Sequence, residues 1–138
     1  SVCACVCVGD IIGNATKFAG EVTVDDNAII SANILCHQFC HIGGYVMIQG
    51  GSRFSMDIPP YIIVGKEPAR YMGINLIGLR RRGFSSELID LIHNAYRILY
   101  GTGTRAENIQ KIKSELQITP EIQQIIDFVE SSERGIIR

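Results

Sequence analysis

The sequence has 138 residues, of which 46% are hydrophobic and 20% charged, and its formal net charge is −1. This composition is typical of a folded globular protein, and no apolar run reaches the ~20 residues of a membrane-spanning helix. The charge does not indicate a nucleic-acid partner, because binding nucleic acid would require a denser basic patch.

Residues 1–7 have the composition of a segment inside a folded domain, with no initiator Met and no signal-peptide pattern. We therefore expect a piece of a longer gene product, located in the cytoplasm. Cys3, Cys5 and Cys7 alternate as in a strand and so share one face. Zinc sites usually place about two to four residues between paired cysteines. Only one residue separates these, so we predict buried thiols, with no metal site and no cofactor.

Apolar residues then recur at every sixth position. They are Ile12, Phe18, Val24, Ile30, Cys36, Ile42, Ile48 and Phe54. A helix would show spacings of three and four, and a plain sheet would show alternation. The six-residue period predicts a left-handed parallel β-helix of hexapeptide coils, in which each apolar residue points inside and successive coils stack as parallel strands. A chance alternation in an all-β sandwich is the alternative.

Two further positions follow the same period. Four places after each apolar residue stands a small or β-branched residue: Thr16, Val22, Ala28, Ile34, Cys40, Val46, Ser52 and Ile58. The residue directly after each apolar residue is usually small or polar, and we expect it to form the corner: Gly13, Ala19, Asp25, Ser31, His37, Gly43, Gln49 and Ser55.

The period breaks near the start of the chain. Val2 and Val8 are six apart, but Val8 and Ile12 are only four apart. We therefore expect two residues to be missing from one hexad near Asp10, and the first coil to be deformed. The N-terminal end of the stack would also expose unpaired strand edges.

The period ends at Pro59-Pro60, where the charge balance also changes from −3 over residues 1–60 to +2 over residues 61–138. We predict N-terminally incomplete β-helix coils in 1–60 and a small helical domain in 61–138. Three or four helices are expected. Residues 73–82 can form a short one, Ser85 caps one that ends at Gly101, and two begin at the box 104–107 and at Thr119-Pro120.

Several segments carry a resemblance to a known family. They are residues 19–26, the His-Gln-Phe of 37–39, the Asp-Ile-Pro-Pro-Tyr of 57–61, residues 73–75, the Gly-Leu-Arg-Arg-Arg-Gly-Phe of 78–84 and residues 134–138. In order and over essentially the whole chain, they resemble the C-terminal part of the acyl-[acyl-carrier-protein]–UDP-N-acetylglucosamine O-acyltransferases, which act in lipid A biosynthesis. The tail is similar to Bacteroidetes versions.

The resemblance implies a homotrimer with active sites in the clefts between neighbouring prisms. It implies transfer of a hydroxyacyl group from acyl carrier protein to the 3-hydroxyl of UDP-N-acetylglucosamine, with a histidine as general base. The position that matches this histidine is Ala4, and no histidine precedes His37. No catalytic residue is therefore matched, and whether the chain is itself an active enzyme stays open.

The resemblance also implies a substrate-binding set of five residues: His37, Tyr45, Asn75, Arg81 and Arg82. The two arginines suit diphosphate oxygens, because a guanidinium group binds them in a bidentate way. The alternatives are a corner histidine at His37 and a solvated basic helix end at the arginines. His41 is expected to be a coil-edge residue.

Three functions remain open on the sequence. The first is the acyltransferase reaction. The second is a catalytically inactive, truncated trimeric paralogue that binds nucleotide sugar or acyl carrier protein. The third is a purely structural trimer, which is favoured if the side chains of His37 and Arg81 do not share a cleft.

Overall fold

The structure is a computed structural model that describes the backbone of residues 4–6 and all of residues 9–138. Nine short strands come first. In chain order, β1 to β9 are Ala4–Val6, Ile11–Ile12, Lys17–Ala19, Val22–Val24, Ile29–Ile30, Leu35–His37, His41–Ile42, Met47–Ile48 and Arg53–Phe54. We expected the side chains of Cys3, Cys5 and Cys7 to share one face of a strand. These side chains lie outside the part of the chain that the structure describes.

The strands form a three-sided prism in which every third strand belongs to the same side. Face A contains β1, β4 and β7, face B contains β2, β5 and β8, and face C contains β3, β6 and β9. All of these neighbours are parallel, and each residue pairs with the residue eighteen places later, as Ile30 does with Ile48. Three hexads therefore make one coil, which is the predicted parallel β-helix.

The interior of the prism is built from the two periodic positions. From Val24 onward, every residue of the six-residue series is buried, as is every residue of the second series from Val22 onward. Ile12 is 39% exposed, because its strand β2 is the last strand at that end of face B. Full burial of an isoleucine side chain contributes about 2 kcal/mol, so the stack is held mainly by this core.

The corners lie two residues later than we expected. A left-handed φ of 58° to 82° recurs at Gly9, Ala15, Asn27, Asn33, Phe39, Tyr45 and Gly51, three places after the residue of the six-residue series. The residue directly after the apolar one begins the turn. At Gly13 and Gly43 its small size is required, because an added Cβ would lie 2.5 Å from a backbone nitrogen of the next coil.

The expected break in the first coil is absent from the backbone pairing. Ala4 pairs with Val22 and Val6 pairs with Val24, which is the same eighteen-residue spacing as in the later coils. The frame therefore continues backwards from Ile12 to Val6, six residues earlier. The gap appeared in the sequence analysis because Val2 and Val8 were assigned to the six-residue series. Val6 is the residue that lies six places before Ile12.

A β-hairpin that the sequence analysis missed follows the last coil. Strand β10 (Ile62–Gly65) pairs in parallel with β8 and so extends face B, and β11 (Arg70–Ile74) pairs antiparallel with β10. Residues 73 and 74 are therefore strand and not the start of a helix. The predicted domain boundary at residue 60 falls before β10, which still belongs to a solenoid face.

Four helices complete the chain: α1 (Leu76–Arg81), α2 (Ser86–Leu99), α3 (Arg105–Glu115) and α4 (Pro120–Ser131). Ser85 and Thr119 cap α2 and α4, and the capping box of Thr104 and Glu107 is present at α3, all as predicted. No helix among the described residues is long and apolar enough to cross a membrane.

Helix α2 packs against the other three helices and against β11. Helix α4 lies on the last coils, where Gln124 accepts a 2.5 Å hydrogen bond from the hydroxyl of Tyr61 and Ser132 donates one of 2.6 Å to Asp57. The tail returns to the prism through a bridge between Asp57 and Ile136. The helical domain is thus fixed to the end of the solenoid by polar contacts as well as by its core.

Candidate functional site

His37 ends β6 at the corner between faces C and A, where its side chain is exposed. It lines a cleft of about 390 Å³ with two charged residues, Arg53 and Glu67. The rest of the lining is mainly apolar: Phe54, Ser55, Met56, Pro68, Ala69 and Ile137. An imidazole, a guanidinium and a carboxylate on an apolar floor suit a ligand with both polar and apolar parts.

The sequence analysis did not select Arg53 or Glu67. The signal for Arg53 was the eighteen-residue coil, which pairs Leu35 with Arg53 and so puts it on the same face as His37. Glu67 lies in the hairpin loop between β10 and β11, and the six-residue period carries no information about that loop.

His41 is engaged within the chain. Its Nε2 lies 2.8 Å from Oδ2 of Asp25, and its ring centroid lies 4.6 Å from that of Phe128 in α4. His41 is half-buried between face A and α4, and its contacts are all within the fold. His37, in contrast, is open to a ligand.

Tyr45 and Asn75 lie together at the corner between faces A and B. The Tyr45 ring packs against Tyr61 at 5.7 Å and against Phe84 at 5.1 Å between centroids. Asn75 is only 5% exposed, and its Nδ2 donates a 3.0 Å hydrogen bond to the backbone oxygen of Tyr45. Two of the five predicted residues therefore contact each other here, through the Tyr45 carbonyl.

Arg80, Arg81 and Arg82 at the end of α1 are all exposed. Neither Arg81 nor Arg82 forms an ion pair with any residue that the structure describes. Arg80 lines a cleft of about 360 Å³ between α1 and α2, with Asp90 and His93 at its rim. Neither Arg81 nor Arg82 lines this cleft or the cleft of His37, so the described chain does not place His37 and these arginines in either cleft.

Cys36 and Cys40 are both buried inside the prism and free. A hydrogen bond with the Cys40 thiol, together with burial, raises the pKa of Cys36. A thiol that stays protonated is a poor nucleophile and a poor metal ligand. Among the described residues, no group of three His, Cys, Asp or Glu side chains is arranged to hold a metal ion.

Ala4, which matches the family's histidine position, lies in β1 beside Val22 on face A. The side chains of residues 1–8 lie outside the described part of the chain. Its match to the catalytic position therefore stays a prediction, as do the roles of the five substrate-binding residues.

The described residues define a class of protein: a parallel β-helix of hexapeptide coils with a helical C-terminal domain. A solved UDP-N-acetylglucosamine acyltransferase from Bacteroides fragilis 9343 superposes with a TM-score of 0.95 at 62% identity, over 98% of this chain and 53% of that one. One from Francisella novicida superposes with a TM-score of 0.87 at 34% identity, over 94% and 48%. The predicted fold class, a left-handed parallel β-helix followed by a helical domain, is confirmed.

The family described as Udp N-acetylglucosamine O-acyltransferase, Domain 2, matches residues 57–137. A protein of Thiobacillus denitrificans named acyl-[acyl-carrier-protein]–UDP-N-acetylglucosamine O-acyltransferase is 43% identical over 134 residues, 95% of this chain and 52% of its own. One of Aliivibrio fischeri with the same name is 42% identical, over 95% and 51%. The chain belongs to this acyltransferase family, and it spans about half the length of these relatives.

Proposed function

We propose that the chain serves in the transfer of a hydroxyacyl group from acyl carrier protein to the 3-hydroxyl of UDP-N-acetylglucosamine, in lipid A biosynthesis. The observation that carries this proposal is the family match over residues 57–137, which includes α1 and its exposed arginines. In the reaction the sugar oxygen attacks the thioester carbon, an ester bond forms, and the carrier leaves as a thiol that takes the hydroxyl proton.

The nucleotide sugar is bound at the end of α1 in this proposal. Arg81 and Arg82 are exposed and unpaired within the described residues, so their guanidinium groups are available to diphosphate oxygens. Planar guanidinium forks bind such oxygens in pairs, which fixes the orientation of the sugar as well as holding it.

His37 is the coil residue that we assign to the substrate cleft. Its imidazole is exposed at a solenoid corner beside Arg53 and Glu67. Because no histidine precedes it, the general base of the family has no imidazole counterpart in residues 1–36. Donor hydrogen bonds from His37 and Tyr45 would orient substrate without replacing that base.

A homotrimer would bring the His37 cleft of one copy to Arg81 and Arg82 of another, since neither arginine lines that cleft within one chain. Outward-facing residues on face B support such an assembly: Ile11, Ile29, Met47 and Ile63 pair in register across four strands, and all are at least partly exposed. The corresponding outward residues of face C are Lys17, Leu35 and Arg53. A continuous apolar ladder is a typical feature of a subunit interface.

Acyl carrier protein is the proposed second partner, and the cytoplasm is the proposed location. Residues 61–138 contain eleven basic and nine acidic residues, and this surplus favours an acidic partner weakly. The free thiols of Cys36 and Cys40 agree with a reducing compartment.

The test supplies purified chain with hydroxyacyl carrier protein and UDP-N-acetylglucosamine, and follows both acylated product and nucleotide-sugar binding. We expect product to form above a protein-free blank, and product to fall at least about tenfold in Arg81→Ala, as for a charged hydrogen bond. Arg97→Ala, which removes an exposed arginine in the last turn of α2, serves as the matched control and should be unchanged.

Two results would contradict the proposal. Binding of the nucleotide sugar without any product would favour an inactive binding paralogue. Absence of both binding and product would leave only a structural role for this part of the family fold.

A further inference from the structure

A cleft of about 320 Å³ lies between the C-terminal tail, residues 135–138, and the segment 99–105 that joins α2 to α3. We call it the tail cleft. It shares Met56 with the cleft of His37, and none of the five predicted substrate-binding residues lines it. The proposed acyl transfer therefore gives this cleft no role.

The tail cleft has an apolar floor and a positively charged rim. Leu99 and Ile136 in the floor are buried, and Met56 beside them is 38% exposed. Arg105 and Arg138 are exposed at the rim, and neither forms an ion pair with any residue that the structure describes. Such a lining suits a ligand with an apolar chain and a negatively charged head.

The charge of the tail cleft distinguishes it from the two clefts described above. The cleft of His37 contains Glu67 as well as Arg53, and the cleft between α1 and α2 contains Asp90 as well as Arg80. Among the described residues, the lining of the tail cleft includes two arginines and no acidic side chain. It therefore favours an anion, whereas each of the other clefts offers groups of both signs.

The N-terminus of α3 adds to the positive potential at this rim. The capping box uses the carboxylate of Glu107 on the amide of Thr104 and the hydroxyl of Thr104 on the amide of Glu107. Arg105, the first residue of α3, has no partner for its amide within the helix. Its guanidinium donates one 3.4 Å hydrogen bond to the oxygen of Ser132, which leaves other N–H groups for an anion.

Hydrogen bonds from side chains hold both walls of the tail cleft in place. On one side Asn108, only 1% exposed, donates from Nδ2 to the oxygens of Leu99 and Gly101 at 3.1 Å and 3.4 Å. On the other side the hydroxyl of Tyr100 donates to the oxygen of Ile137 in the tail. Because the walls are preformed, a ligand would bind without a large cost of ordering them.

We propose that the tail cleft binds an anionic amphiphile, with its head on Arg105 and Arg138 and its alkyl chain on Met56, Leu99 and Ile136. The head is a carboxylate or a phosphate, since guanidinium groups pair with both. This site is additional to that of the proposed acyl transfer, and binding at it requires neither substrate of that reaction.

Titration calorimetry with matched probes, each below its critical micelle concentration, tests the proposal. We expect saturable binding of decanoate or decyl phosphate, and the tighter of the two identifies the head. Decanol, which lacks the charge, and acetate, which lacks the chain, should bind at least about tenfold more weakly. Decanol or acetate that binds as tightly as the charged probes would overturn the proposal, as would the absence of saturable binding by both charged probes.

Single arginine substitutions test where the head binds. Arg105→Gln and Arg138→Gln should each weaken binding of the tighter probe about tenfold, as for the loss of one hydrogen bond between charged groups. Arg97→Gln, in the last turn of α2 and outside the cleft, is the matched control and should bind as the wild type does. A loss in Arg53→Gln with none in Arg105→Gln would place the ligand beside His37 and overturn the assignment.

Amide chemical shifts of the wild type test the location without any substitution. The amides of Gly103 and Gly135, which lie on opposite walls of the tail cleft, should shift as the charged probe is added. Gly83, after α1, lines none of the three clefts and serves as the control. Saturable binding that leaves Gly103 and Gly135 unshifted would overturn the proposal.

Discussion

Phe39 carries a large side chain in a backbone conformation that most residues avoid. Its φ is 66°, and 60% of its surface is exposed at the corner beside His37. Elsewhere in the same series this position is occupied by glycine or asparagine, among others, which tolerate the left-handed region at lower cost. Because most of the ring is exposed, its burial contributes little free energy to offset the cost of the left-handed conformation.

We predict that Phe39→Gly is more stable than Phe39→Ala by about 1 kcal/mol. A left-handed residue with a Cβ costs about 1–2 kcal/mol, and the extra entropy of glycine in the unfolded chain offsets part of the gain. Urea denaturation of the two variants measures this difference directly. An alanine variant that is the more stable of the two would show that the turn does not require this conformation.

The roles of single residues were only partly predictable from the sequence. His37 was assigned to the substrate cleft on resemblance, but Arg53 and Glu67 beside it were not selected, and Glu67 comes from a hairpin loop that the sequence period does not describe. Asn75 was assigned to the ligand on resemblance alone. Its burial and its bond to Tyr45 depend on contacts between residues thirty positions apart, which no local pattern encodes.

At the scale of elements, three tyrosines, one buried and two half-buried, join the helical domain to the end of the solenoid. Tyr96 and Tyr100 donate their hydroxyl hydrogens to the backbone oxygens of Pro60 and Ile137, and Tyr71 stacks beside both rings. Burial raises the pKa of all three phenols above the usual value near 10. The folded state therefore holds these protons more tightly than the unfolded state.

This shift predicts alkaline instability. A folded-state pKa above the unfolded value contributes stability that is complete below about pH 10 and is lost as pH rises beyond it. We expect the free energy of unfolding to fall as pH rises above about 10, and to fall less steeply in Tyr71→Phe, which removes one phenol. Denaturant titrations at several pH values measure how steeply the free energy of unfolding falls with pH in the wild type and in Tyr71→Phe. Identical slopes in the two proteins would contradict this explanation.

The elements divide into those that local sequence determines and those that it does not. The six-residue period located the coils, and capping residues located the starts of α2, α3 and α4, because burial and capping act over a few positions. The hairpin of β10 and β11 was missed because its strands follow neither period. Their pairing depends on face B of the preceding coil.

For the whole molecule, the separation of His37 from Arg81 and Arg82 is the main structural constraint on function. His37 lies at the corner between faces C and A, the two arginines lie at the end of α1, and neither arginine lines the cleft of His37. In the proposed trimer, the apolar ladder of face B would give neighbouring copies a surface on which to pack. A cyclic trimer would then place the His37 cleft of one copy near the arginines of the next.

Subunit mixing tests this account most directly. His37→Gln and Arg81→Ala chains are assayed for acyl transfer separately, and again after unfolding and refolding together. If the site uses His37 from one copy and Arg81 from its neighbour, both separate variants are impaired and the mixture recovers about a quarter of wild-type activity, the share of intact neighbour pairs expected from random mixing. A mixture no more active than the separate variants would contradict a site shared between copies.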